Sequence, residues 1–124
     1  MRRTGVVLIT VFLAGLCVFA QKLAGRTVTV QGWVIDSACA YTKSLDKPVS
    51  PDCARACARN GSPLVILRDD GTIFVPIDDK TPASSLNPKL LPFAGQYVDI
   101  TGIEYVRNGS HALVIRTIAP STKK

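Results

Sequence analysis

The sequence contains a single histidine, His111, and aromatic residues make up only 6% of its 124 residues. It also lacks an H-E-x-x-H segment, a G-x-S-x-G segment and a glycine-rich phosphate loop. Those patterns mark zinc hydrolases, serine hydrolases and nucleotide-binding sites. Without them an enzyme is the least supported class, and we predict a protein that is not an enzyme.

The apolar run near the N-terminus is too short for a membrane span. Residues 6–19 form a stretch of 14 residues, whereas a helix needs roughly 20 apolar residues to cross a bilayer. Arg2 and Arg3 precede this run and the small residue Ala20 follows it. This pattern predicts a signal peptide over residues 1–20, and hence a periplasmic or secreted protein without a stable membrane span after cleavage; retention as an anchor is the alternative.

The charge of the chain is modest. The formal net charge of +6 falls to +4 when Arg2 and Arg3 leave with the signal peptide. The remaining basic residues are scattered and do not alternate with aromatic residues, so we expect no nucleic-acid partner. We expect instead a protein, a small molecule or a glycan of the cell envelope as the partner.

The rest of the chain reads as five short strands. Residues 26–36 alternate between apolar and polar positions, with Gly32 marking a bend or bulge. Residues 63–68 and 72–77 predict a hairpin around an Asp-Gly turn, and residues 96–107 and 111–118 predict a second hairpin around Asn108-Gly109. Between the hairpins, Pro88 and Pro92 restrict residues 83–94 to one or two helical turns, which we call the helical plug.

Five strands with a helix between the third and the fourth are typical of the OB (oligonucleotide/oligosaccharide-binding) fold. We therefore predict a mainly β protein, a small five-stranded OB-like Greek-key barrel over residues 26–119. A Cys-containing insertion at residues 37–62 and a disordered tail at residues 120–124 complete the organisation. An open five-stranded roll or a small sandwich is the competing interpretation.

Three cysteines, Cys39, Cys53 and Cys57, lie in this insertion. Ser50 and Pro51 predict the start of a short helix and Asn60-Gly61 its end. On that helix Cys53 and Cys57 share one face with parallel Cβ directions, so a disulfide between them is awkward. We expect a disulfide from Cys39 to either of them, which would contribute roughly 3 kcal/mol for a 15-residue loop.

Two alternatives use all three thiols. They could bind copper or zinc, with His111 or Asp36 as a fourth ligand for zinc, or they could carry out thiol redox chemistry. The main hypothesis remains a non-enzymatic binding or accessory module without a cofactor. Trp33 and Tyr41 are the candidate ligand-binding residues because OB domains use aromatic side chains as stacking surfaces.

The segments Gly32-Trp33-Val34-Ile35-Asp36-Ser37-Ala38-Cys39 and Cys53-Ala54-Arg55-Ala56-Cys57 form a G-x-V-x-D-x-x-C pattern followed by C-x3-C. With the D-G turn and residues 95–102, this pattern resembles an uncharacterised family of small exported bacterial proteins, a domain of unknown function. The resemblance implies an OB-like fold and export, and it implies no activity. Many members carry a histidine soon after the first cysteine, but residues 40–47 contain none here, which disfavours a Cys/His metal site.

Overall fold

The computed structural model describes residues 24–122, so the signal peptide predicted for residues 1–20 lies outside the described residues. Within this part of the chain, no helix combines the length and the apolar character that crossing a bilayer demands. The strands and helices follow in the order β1 (Arg26–Asp36), α1 (Ser37–Thr42), α2 (Pro51–Arg59), β2 (Leu64–Leu67), β3 (Ile73–Pro76), α3 (Asn87–Leu90), a 3-10 helix (Leu91–Phe93), β4 (Tyr97–Arg107) and β5 (Ser110–Pro120).

The five strands close into a barrel in the order β1-β2-β3-β5-β4, with β1 also paired to β4. The pairing of β3 with β5 is parallel and the other four pairings are antiparallel. The helical segment between β3 and β4 is the one expected of an OB-like barrel. The predicted fold class, a small mainly β barrel of five strands, is confirmed.

Strand β1 changes partner half-way along its length. It pairs with β4 from Arg26 to Trp33 and with β2 from Trp33 to Asp36. At the crossover, a Cβ atom on Gly32 would lie only 2.7 Å from the Leu67 carbonyl oxygen. The glycine predicted to mark a bend is therefore the residue that lets one strand serve both sides of the barrel.

The barrel interior is filled by the inward-facing residues of all five strands. They are almost completely buried, and the largest of them include Val34, Ile66, Val98, Ile100 and Leu113. Leu90 of α3 is also fully buried in this core, so α3 and the 3-10 helix form the predicted helical plug. Burial of such a side chain contributes about 1.5–3 kcal/mol.

One side chain ties the plug to the cysteine-bearing helix. The Asn87 side-chain carbonyl accepts the backbone N–H of Leu64 at 2.9 Å, and its amide donates to the backbone carbonyl of Ser62 at 2.8 Å. The same amide also donates to the Ala58 carbonyl near the end of α2. Asn87 thus binds three backbone groups of the segment where α2 turns into β2 and holds the plug against it.

The insertion contains one predicted helix and one that the sequence analysis missed. Helix α2 begins as expected, with Ser50 Oγ accepting the Cys53 N–H and Pro51 in the first position. Helix α1 starts directly after β1 because the Asp36 carboxylate accepts the Cys39 N–H at 3.1 Å. A single residue therefore ends β1 and caps α1.

The start of α2 rests against Gly95, which gives a stability prediction. Gly95 has a φ of +77°, and a Cβ atom there would lie 2.3 Å from the Pro51 Cα. We expect Gly95→Ala to lower the free energy of unfolding by about 2–4 kcal/mol, since it combines left-handed backbone strain with overpacking. Urea denaturation followed by circular dichroism measures this loss.

Gly61→Ala is the matched control. Gly61 also has a positive φ, +96°, but a Cβ atom there would meet nothing within 4 Å. Gly61→Ala should lower the free energy of unfolding by only about 1 kcal/mol, because backbone strain is its only cost. Equal losses in the two variants would contradict close packing of α2 on Gly95.

Candidate functional site

The insertion folds back over the outside of the barrel. Ile35 of β1 and Val65 and Leu67 of β2 point outward and are buried beneath it. Ala40 of α1 joins them, and Leu45 and Val49 pack against this second apolar cluster from the segment between α1 and α2. The insertion therefore has its own small core, through which α1 packs against the barrel.

The two aromatic candidates occupy different surfaces. Trp33 is half-buried, and its ring meets the Tyr97 ring edge-on at a centroid distance of 5.2 Å. It borders a depression formed by residues 45–49. Tyr41, on α1, is 70% exposed and borders a separate groove with His111. The structure does not bring Trp33 and Tyr41 together, and Tyr41 is the one free to contact a ligand with most of its ring.

The groove beside Tyr41, called here the β3 groove, runs across the outer face of β3. Its lining comes from Tyr41, residues 70–73 of the β2–β3 turn, Val75, and residues 108–111 of the β4–β5 turn. It is open to solvent and encloses about 580 Å³. Three separate connections of the barrel thus contribute walls to one surface depression.

His111 in this groove is held by a buried carboxylate. Glu104 of β4 is 4% exposed, and its Oε1 lies 2.7 Å from His111 Nδ1, while its other oxygen pairs with Arg26. Because a carboxylate only accepts, Nδ1 carries the proton, and in the neutral ring Nε2 remains an acceptor. The His111 and Arg26 contacts hold the pKa of Glu104 below its ordinary value.

Sequence reasoning missed Glu104, although two signals were present. It is the only glutamate in the chain, and it follows Val98, Ile100 and Gly102 at the inward-facing positions of β4. A charged side chain at an inward-facing strand position requires an oppositely charged or hydrogen-bonding partner. His111, considered earlier as a zinc ligand, lies with this carboxylate and not with the cysteines.

The three cysteines gather around a second buried acid, Asp36. We call Asp36, Cys39, Cys53 and Cys57 the thiol cluster. Cys39 and Cys57 are half-buried and Cys53 is exposed, and all three are free thiols in the structure. The expected disulfide from Cys39 to Cys53 or Cys57 is therefore not formed in it. Cys39 lies on α1 and the other two lie on α2.

The electrostatics of the cluster keep its half-buried thiols protonated. A hydrogen bond to the Asp36 carboxylate, together with burial, raises the pKa of Cys39. Burial, and then the negative charge of Asp36, raise the pKa of Cys57. Since the thiolate is the reactive form, neither residue resembles an activated nucleophile in this arrangement.

Cys39 and Cys53 border a narrow cleft between the two helices. The cleft encloses about 30 Å³ and includes Asp36 in its lining, with Lys43 and Lys47 at its rim. Across residues 24–122, no three or more His, Cys, Asp or Glu side chains are arranged so that they could hold a metal ion. The lining of the cleft thus contains two thiols and one carboxylate. Such groups are suited to proton transfer and to thiol–disulfide exchange.

Comparison with models of protein families, with curated proteins and with solved structures gave no match to this chain.

The buried Glu104 predicts acid sensitivity. Its pKa is lowered in the folded protein from an ordinary value of 4.5, so its contribution is complete above that pH and disappears as the pH falls through the folded-state pKa. We expect the unfolding free energy to fall with pH below about 4.5 less steeply in Glu104→Gln than in the native protein. Urea titrations at a series of pH values measure both slopes, and equal slopes would contradict the prediction.

Proposed function

We propose that the protein is an exported, non-enzymatic binding module that takes a polar ligand, such as a glycan segment, in the β3 groove. The observation that carries this proposal is the pairing of an exposed aromatic ring, Tyr41, with the oriented His111 across the same groove. In OB folds the face of strands 2 and 3, between the loops that follow strands 1 and 4, is the usual ligand surface. The β3 groove occupies that position.

The chemistry of the groove favours an uncharged polar ligand over a polyanion. Asp70 is the acidic residue of its lining, and the nearby Arg68 pairs with it at 3.4 Å. Thr72, Ser110 and the Asn108 amide supply hydrogen-bonding groups of the kind that bind hydroxyls. An aromatic face with such groups suits a sugar ring, whereas a nucleic acid would require a basic surface.

Export and a disulfide crosslink complete the proposal. The signal-peptide pattern directs the chain to an oxidising compartment, where disulfides form and persist. Raised thiol pKa values at Cys39 and Cys57 are consistent with a structural crosslink, because thiol redox enzymes lower the pKa of the attacking thiol. A thiol-based copper or zinc carrier is the competing function, and stoichiometric metal in protein purified from the periplasm would favour it.

If the β3 groove binds a glycan, the Tyr41 ring should contribute to the binding affinity. Titration of the protein with chitin oligosaccharides and soluble peptidoglycan fragments, followed by backbone NMR, should shift the signals of residues 70–75 and 108–111. Tyr41→Ala should weaken binding about tenfold, corresponding to about 1.4 kcal/mol for the lost stacking.

Tyr105→Ala is the matched control. Tyr105 is also an exposed tyrosine, at 38%, but it lies on β4 and is not part of the groove lining. The Tyr105→Ala variant should bind the glycans with the affinity of the native protein. Shifts confined to other surfaces, no binding by any of these glycans, or equal losses in the two tyrosine variants would overturn the proposal.

A further inference from the structure

We propose that Cys39 and Cys53 form a reversible disulfide by exchange with an external disulfide, and that the buried Asp36 carboxylate accepts the Cys39 proton in that reaction. This inference rests on the proposed crosslink and is independent of what the β3 groove binds. It assigns both the bonded pair, which the sequence left open, and a chemical role to a buried acid.

The pair follows from the geometry of the cleft. Cys39 and Cys53 both line it, one from each helix, whereas Cys57 is not part of its lining. Because Cys53 is exposed, it is the thiol that an external disulfide can reach. Cys39 is half-buried. Cys53 and Cys57 share one face of α2, where their Cβ directions disfavour a bond. Approach of α1 toward α2 would close Cys39 onto Cys53.

The role of Asp36 follows from its burial and its contacts. The residue is 2% exposed, its carboxylate accepts the backbone N–H of Cys39 at 3.1 Å, and Asp36 and Cys39 line the same cleft. After burial, the negative charge of the same carboxylate is the next cause that raises the pKa of the Cys57 thiol. A buried carboxylate that lines the same cleft as a protonated thiol is placed to act as a general base.

The reaction balances with an external disulfide, R–S–S–R, as the oxidant. The Cys53 thiol loses its proton to solvent and attacks one sulfur of the reagent; the R–S–S–R bond breaks, a thiolate leaves and a Cys53–S–S–R mixed disulfide forms. Cys39 then passes its proton to Asp36 and attacks the Cys53 sulfur, displacing the second thiolate. Two protein thiols are oxidised, the reagent is reduced to two R–SH, and Asp36 returns its proton through solvent to the leaving thiolate.

The high pKa of the Cys39 thiol explains why a base is needed at the second step. At neutral pH almost none of this thiol is ionised, so the attack depends on proton transfer at the moment of reaction. Once formed, the thiolate of a weakly acidic thiol is a strong nucleophile. The same electrostatics that make Cys39 unreactive alone thus suit it to resolve a mixed disulfide formed beside it.

The bonded pair and the role of Asp36 can be tested in one experiment. Glutathione disulfide is added to the reduced protein, and thiol trapping with peptide mass mapping follows the products over time. The native protein should form a Cys39–Cys53 disulfide with little mixed disulfide, and Cys57→Ser should do the same. In Asp36→Asn the Cys53–glutathione mixed disulfide should accumulate, with resolution at least tenfold slower and a changed pH profile. Asparagine preserves the helix cap, so a cap defect alone would not produce this result.

Asp52→Asn is the matched control, since Asp52 is an exposed carboxylate next to Cys53 on α2. It should resolve the mixed disulfide at the native rate. If Asp36→Asn fails to fold, Asp36→Ser, another good cap, replaces it. Resolution at the native rate without the carboxylate, or a Cys39–Cys57 product, would overturn this inference while leaving a crosslink in place. Absence of any disulfide would also overturn the crosslink itself.

Discussion

The pairing of β1 with two different strands is the constraint on which the rest of the structure depends. Its first part hydrogen-bonds to β4 and closes the barrel, and its last part pairs with β2. The contact between Gly32 and the Leu67 backbone permits this crossover, because a side chain there would collide with the neighbouring strand. The same geometry delivers Asp36, at the strand end, to a buried position beside α1 and α2.

The fold could be predicted from the sequence where the signal was local. Alternating apolar residues and the Asp-Gly and Asn-Gly turns specify strands and hairpins through neighbours in the chain. The Ser50-Pro51 start of α2 is equally local, since its cap hydrogen bond spans three residues. Even the bend at Gly32 was visible as a glycine within an alternating strand.

The sites were less predictable because they arise from contacts between distant segments. Glu104 and Arg26 are 78 residues apart in sequence, and only barrel closure brings them together. Asp36 was considered as the end of a strand and as a possible zinc ligand, yet its carboxylate caps an unpredicted helix and helps to raise the pKa of two thiols. The sequence identified the three cysteines as a group and offered Asp36 as a zinc ligand beside them, but the burial of this acid and its bond to the start of α1 required the three-dimensional structure.

The two proposed sites share helix α1, and this links crosslinking to ligand binding. Cys39 and Tyr41 lie two residues apart in a helix of only six residues, so any force that draws Cys39 toward α2 also moves the wall of the β3 groove. A helix this short is marginal alone and takes its position from packing, here from Ala40 in the outer apolar cluster. A disulfide would add a covalent restraint and reduce the conformational freedom that Tyr41 must lose on binding. Oxidation of the cleft should therefore tighten the groove without adding a contact to the ligand.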